Sequence, residues 1–200
     1  MKTFYNFLNE NDDGGTLSFS HPKDERTGKP IHDKPIGHDA KEINGVALKS
    51  YKPPKDWKGV EGQNHTINEP PIPHLGGKKF ASGLIMREKD GRTWLSKPTN
   101  GFGGYKHTFP KGGVERGLHP QANAIKETFE ETGLKGRITG YAGDHHGDTS
   151  ITRYYHAERE GGHPNDHGWE SEAVVLAHKK DLHHLLNKER DKNIVKKHIS

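Results

Sequence analysis

Residues 110–134 read PKGGVERGLHPQANAIKETFEETGL. The second half of this stretch is helical in pattern: Pro120 suits a first helical position, Ile125 and Phe129 fall four apart on one face, and Gly133 supplies a C-terminal stop. On that helix Glu127, Glu130 and Glu131 stand at i, i+3 and i+4, so three carboxylates project from one face within about one turn. Like charges at this spacing repel, and a purely structural helix gains nothing from them. A hard divalent cation reverses the sign, because Mg²⁺ prefers carboxylate oxygen and retained water. Ahead of the helix, Lys111-Gly112-Gly113 lets main-chain atoms approach a ligand, and Lys111 offers a cation for a phosphate near the positive end of the helix dipole. On the three glutamates alone, a solvated acidic helix after an ordinary turn is the better reading.

Upstream, Phe80 to Arg87 is apolar on both faces and predicts a buried strand. Glu88-Lys89-Asp90-Gly91 is turn chemistry, and Arg92 to Lys97 returns as a second strand. Gly101 to Gly104 is expected to be a flexible loop, since no helix follows that could make it a dinucleotide-binding motif. Downstream, strands are expected at Gly136–Ala142, Ser150–Ala157 and Glu172–Ala177, and the chain from Lys180 onward is expected to be helical, with Leu182, Leu185 and Leu186 inward and a polar break at Asn187–Lys192. Mixed strands flanked by two helical segments give an α/β sandwich with a polar N-terminal extension.

The extension covers residues 1–76. His21 to Lys41 is nearly all charged residues, Pro, Gly and His, and Pro53-Pro54 and Glu69-Pro70-Pro71-Ile72-Pro73 favour extended backbone. Phe4, Tyr5, Phe7, Leu8, Val46, Ala47, Leu48 and Trp57 are apolar groups that could dock onto a neighbouring domain. The segment should wrap or trail, and residues 77–200 should fold without it. Only 28% of all residues are hydrophobic, so a core spread over the full length would be thin.

The net charge of +4 suits polyanionic partners, nucleotide or RNA, though it serves solubility equally well. Absence of cysteine excludes disulfides, thiolate metal sites and cysteine nucleophiles. No apolar run reaches membrane-spanning length, so the reading is a soluble, cytoplasmic chain with no membrane partner, its oligomeric state open and a homodimer included. The sixteen histidines contain no HExxH arrangement, and no dedicated histidine zinc site is expected.

The spacing across residues 112–134 resembles the Nudix box: Gly, five residues, Glu, seven residues, Arg-Glu, an apolar residue, any residue, Glu-Glu, any residue, Gly, apolar. Gly112 stands at the first glycine, Lys126-Glu127 at Arg-Glu, Glu130-Glu131 at Glu-Glu and Gly133-Leu134 at the last pair. With Gly and Glu each at roughly 7% usage, five such fixed matches arise by chance about twice in a million starting points, so the likeness is specific. Three positions differ: Leu118 replaces the first glutamate, Lys126 the arginine, and Thr128 fills the usual apolar slot. In the family the arginine orients a glutamate of the same helix, and lysine keeps its charge but not its planar fork. The likeness extends from Lys78 to the C-terminus, through residues 107–112 and Thr152–His156.

The resemblance implies a Nudix-type α/β/α sandwich over 77–200. It implies Mg²⁺ or Mn²⁺ held by the Gly112 carbonyl, Glu127, Glu130 and Glu131, with Glu127 and Glu130 in catalytic roles. A general base can come from a later loop in this family, and Glu170 is the candidate, with Glu172 and Asp166 as competitors. Along the strand at 152–156, Arg153 and Tyr155 are candidates for binding phosphate and stacking on a base, beside Lys111. The implied activity is metal-dependent hydrolysis of a phosphoanhydride bond in a nucleoside diphosphate derivative, with ADP-ribose, a dinucleoside polyphosphate or a nucleoside triphosphate as substrate classes. A nucleotide-sensing binding module with little turnover and an RNA 5′-end pyrophosphohydrolase are the other readings, because substrate choice lies outside the box.

Overall fold

A computed structural model describes residues 15–20 and 39–199. Phe4, Tyr5, Phe7, Leu8 and most of the His21–Lys41 tract lie outside the described residues. The elements in chain order are β1 (Leu17–Ser20), β2 (Glu42–Ile43), β3 (Val46–Ala47), β4 (Lys79–Arg87), β5 (Thr93–Pro98), β6 (Lys111–Gly113), α1 (Pro120–Thr132), β7 (Leu134–His146), β8 (Ser150–Gly162), β9 (Ser171–Ala177), α2 (Leu182–Leu185) and α3 (Glu189–His198). Among the described residues no helix is long and apolar enough to cross a membrane.

One mixed sheet runs β1-β9-β5-β4-β8-β7, with β6 paired to β4. β4 and β8 are parallel, from Lys79 opposite Ser150 to Arg87 opposite Glu158, while the other pairings are antiparallel. Because strand side chains alternate, each central strand feeds two cores. Leu84, Met86, Tyr155 and Leu176 pack with Ala122, Ala124 and Ile125 of α1. Ile85, Leu95, Tyr154 and Val175 face the other way, onto Leu182, Leu186, Ile194 and Ile199 of the C-terminal helices. This is the α/β/α sandwich with a mixed sheet that the sequence implies.

α1 has the bounds the sequence predicts. Gly133 ends it at φ 71°, and its N–H bonds the Phe129 carbonyl at 2.7 Å. Two local readings need correction. Lys111–Gly113, read as loop, is a short strand whose glycines pair with β4 at Ala81 and Ser82. Gly101–Gly104, read as a flexible loop, forms two tight turns spanning Thr99–Gly104, held where the Thr99 N–H bonds the Glu170 carbonyl at 2.8 Å. The break between the C-terminal helices has a cause outside them. The Asn187 side chain donates to the Gly104 carbonyl and accepts from the Lys106 N–H, both at 2.8 Å, which fixes the chain to the opposite loop.

The described part of the extension wraps. β1 covers the free edge of β9 from Leu17 opposite Leu176 to Ser20 opposite Ala173. Phe19 is fully buried, with its ring 6.0 Å from that of Trp94. Ile43, Leu48 and Val60 join the same core, and Trp57 packs on Phe129 at 5.9 Å, whereas Ala47 stays exposed. Arg159 anchors the β2–β3 hairpin, donating to the carbonyls of Ile43, Val46 and Ala47 while paired with buried Glu88 at 2.5 Å. Cutting at residue 77 would therefore strip an edge strand and several core side chains. Emptying the Phe19 site should cost about 3–5 kcal/mol. Urea unfolding of Phe19→Ala should show that loss, and a change below about 1 kcal/mol would mean that β1 is not part of the cooperative core.

Candidate active site

α1 carries the glutamates past the end of β6, and the close approach is made by glycine: a Cβ at Gly112 would overlap the Glu127 carboxylate. Asn123 of α1 holds this geometry. Its amide donates to Ser82 Oγ at 3.1 Å and toward the Gly112 carbonyl at 3.4 Å, and its oxygen accepts from the Glu115 N–H at 3.1 Å. Glu131 is held from the other side, by Ser96 Oγ at 2.9 Å and the Lys111 N–H at 3.3 Å.

Glu127, Glu131 and Glu170 line one cleft of about 1380 Å³, together with Lys111, Gly112 and Gly113. Burial pushes the Glu127 carboxyl up to about 7, and its carboxylate neighbours Glu130, Glu131 and Glu170 push the same way against Lys126. Burial likewise raises Glu131 to about 7, opposed by Lys111 and by the bonds from Ser96 and the Lys111 N–H. Two carboxyl groups that resist ionisation, a nearby backbone carbonyl and an oxygen-only donor set suit a hard divalent cation, which would relieve the repulsion.

Glu130 does not join them. It is exposed and bonded to Lys126 Nζ at 2.6 Å. Among the described residues no group of three or more His, Asp or Glu side chains is assembled as a metal cage. Lys126 also reaches Glu115 at 3.0 Å and Glu127 at 3.9 Å, so the lysine at the arginine position still grips carboxylates of its own helix. Glu115 went unnoticed in the sequence. It lies three residues before Leu118, the position where the family pattern has glutamate, and it gives Lys126 a carboxylate partner from outside the helix.

Arg153 and Tyr155 are not in the cleft. Every N–H of the Arg153 guanidinium is used: Asp144 takes Nε and one Nη2 bond at 2.7 and 2.8 Å, Glu69 and the Pro70 carbonyl take Nη1, and the Pro71 carbonyl takes Nη2. Tyr155 donates to Glu69 at 2.6 Å and is buried. The Pro-rich segment at 69–73, read as a spacer, supplies these acceptors, so neither residue is free to meet a substrate. Of the base competitors, Glu172 pairs with Lys97 at 2.6 Å and Asp166 does not line the cleft, whereas Glu170 stands exposed on its rim. The exposed aromatics that line the cleft are Phe102 and Trp169, 83% and 82% exposed, from two loops tied by the Thr99 hydroxyl bond to the Trp169 carbonyl at 2.7 Å.

A family profile described as NUDIX domain matches residues 77–198. A curated RNA pyrophosphohydrolase of Caulobacter vibrioides is 36% identical over 64 residues, which cover 30% of this chain and 37% of that protein. Among solved structures, a NUDIX hydrolase from Nitrosomonas europaea superimposes with a TM-score of 0.53 at 20% identity, over 63% of this chain and 72% of that one. At such identity the likeness is one of fold.

Raised carboxyls carry a linkage with a defined sign. Glu127 and Glu131 bind protons in the folded state up to about pH 7, whereas in the unfolded chain they release them near the ordinary glutamate value of 4.5. Without metal, their contribution therefore turns progressively against folding as pH rises from about 4.5 to 7, and levels off above. Thermal melts in chelator should show Glu131→Gln gaining stability relative to the parent across that window. A difference independent of pH would contradict the assigned environment of Glu131.

Proposed function

The chain belongs to the Nudix family, and from that premise we propose that it hydrolyses a phosphoanhydride bond in a nucleoside diphosphate derivative with the help of Mg²⁺ or Mn²⁺. The Nudix family generally uses divalent metal ions. The observation that carries the reading is the convergence of Glu127 and Glu131 on one cleft beside the Gly112 backbone. Gly112, Glu127 and Glu131 would hold the metal. Glu130 would join only by exchanging its bond to Lys126. A bound divalent ion supplies charge stabilisation at the phosphates and a more acidic water.

The chain's own groups do the rest. Lys111 Nζ, 3.2 Å from Thr108 Oγ1, places a cation at the cleft wall for phosphate oxygen. Glu170, exposed on the rim and within electrostatic reach of Glu127 and Glu131, would take a proton from the attacking water. Trp169 and Phe102 offer π faces for a nucleobase, the role the sequence reading gave to Tyr155. A triphosphorylated RNA 5′ end is the second reading, favoured by the activity named for the Caulobacter relative and by the basic pI of about 9.1.

A nucleotide panel with Mg²⁺, its products identified, tests the reading, and a simple monophosphate ester should be inert. Glu127→Gln and Glu131→Gln should each lower kcat by about 100-fold or more while the fold survives, since each removes ligand charge at similar size. Undiminished turnover in the double variant would overturn the metal assignment, and negligible turnover by the parent with tight nucleotide binding would point to a sensor. Trp169→Ala should raise KM by roughly 5- to 150-fold, the loss of about 1–3 kcal/mol of stacking, with kcat little changed. An unaltered KM would remove Trp169 from the substrate site.

A further inference from the structure

Three cations gather on one tyrosine ring in the cleft wall. Lys111 Nζ lies 4.6 Å from the Tyr105 ring centroid, Lys188 Nζ 5.2 Å and the Arg190 guanidinium carbon 5.9 Å. Arg190 also donates to the Tyr105 hydroxyl at 2.8 Å. All four residues line the cleft that holds Glu127, Glu131 and Glu170. Lys188 and Arg190 come from the start of α3 and Lys111 from β6, so the cluster closes the cleft from a part of the chain far from the carboxylates' helix.

Like charges so close repel, and nearby carboxylates offset them only in part. Glu131, Asp191 and Glu127 act on the Lys111 charge without a direct bond, its side-chain bond going to the Thr108 hydroxyl; Arg190 Nε meets Asp191 at 3.3 Å; and among the described residues Lys188 has no ion pair. Glu189 and Asp148 also line the cleft, but Glu189 is largely exposed beside Lys192 at 3.5 Å. The Tyr105 ring absorbs part of the repulsion through its π face. An anion would absorb more: a terminal phosphate carries close to two negative charges and oxygens enough to accept from both a guanidinium and an ammonium.

We propose that Lys111, Lys188 and Arg190, arrayed on Tyr105, form a subsite for the phosphates beyond the bond that is cut, so that the preferred substrate carries a chain of three or more linked phosphates. The proposal rests on the hydrolase reading above and narrows it. A nucleoside triphosphate, a dinucleoside polyphosphate or a 5′-triphosphate end fits this charge distribution. ADP-ribose, with two phosphates, would leave Lys188 and Arg190 without a phosphate to bind.

Imidodiphosphate and imidotriphosphate, whose P–N–P bridges resist hydrolysis, separate the subsite from the chemistry. With the full chain and Mg²⁺, calorimetry should give at least 10-fold tighter binding of imidotriphosphate. Lys188→Glu should abolish that preference, weakening imidotriphosphate at least 10-fold while leaving imidodiphosphate within about 3-fold, and a thermal melt should confirm that the variant is folded. Lys188→Arg should retain the preference. Equal affinity for the two probes in the parent, or equal weakening of both by Lys188→Glu, would overturn the subsite and leave the hydrolase reading standing. If neither probe binds with Mg²⁺, both fall.

Discussion

The main chain of β6 runs so close to α1 that a Cβ at position 112 would displace the Glu127 carboxylate from the place it holds. That contact places a backbone carbonyl and two partly buried carboxylates at the same end of the sheet. The Asn123 side chain fixes it by joining Ser82, Gly112 and Glu115, and the Ser96 hydroxyl and the Lys111 N–H fix Glu131 from the facing strands. Burial without a charge partner of sufficient strength then raises both carboxyls, and the local structure favours whatever brings positive charge between them.

The rest of the molecule holds that apposition in place. β4 is central: it pairs with β6 on one side and β8 on the other, so the position of the glycine strand depends on a parallel register nine residues long. Behind α1, residues 64–71 link the helix to β8 through Gln121, Glu69 and Arg153. Burial works against the Glu69 charge, but bonds from Tyr155, Gln121 and Arg153 outweigh it and lower its pKa. An arginine and tyrosine that looked like substrate-binding groups are therefore structural, and they explain why a polar, Pro-rich segment packs at all. Its proline carbonyls are acceptors that need no N–H of their own to be satisfied.

Much of this was legible in the chain. Period and punctuation located α1 to the residue, and Phe80–Arg87 and Glu172–Ala177 were recognisable from apolar runs of strand length. Glu127, Glu131 and Lys111 were recognisable because their chemistry is encoded at short spacing. The features that escaped depend on partners far away in sequence. β6 is a strand only because β4 lies beside it. Glu130 turns outward because Lys126, itself read only as a replaced arginine, reaches across a turn to it and to Glu115. Arg153 is consumed by residues 82 to 84 positions earlier, and the Tyr105 cluster draws on a helix some 80 residues later. No local pattern carries such pairings, although an exposed Trp169 beside Glu170 in a Gly- and His-rich loop was a signal that could have been weighed.

The central claim, that Glu127 and Glu131 together create the divalent-metal site, is open to a direct binding measurement that does not depend on knowing the substrate. Free Mn²⁺ can be counted by its electron paramagnetic resonance signal as the protein is titrated at pH 8, where both carboxyls are largely ionised. The parent chain should bind Mn²⁺ at a site lost in Glu127→Gln and in Glu131→Gln, and retained in Glu172→Gln, whose carboxylate pairs with Lys97 instead. Equal Mn²⁺ binding by the parent and by the chain lacking both helix carboxylates would contradict the account.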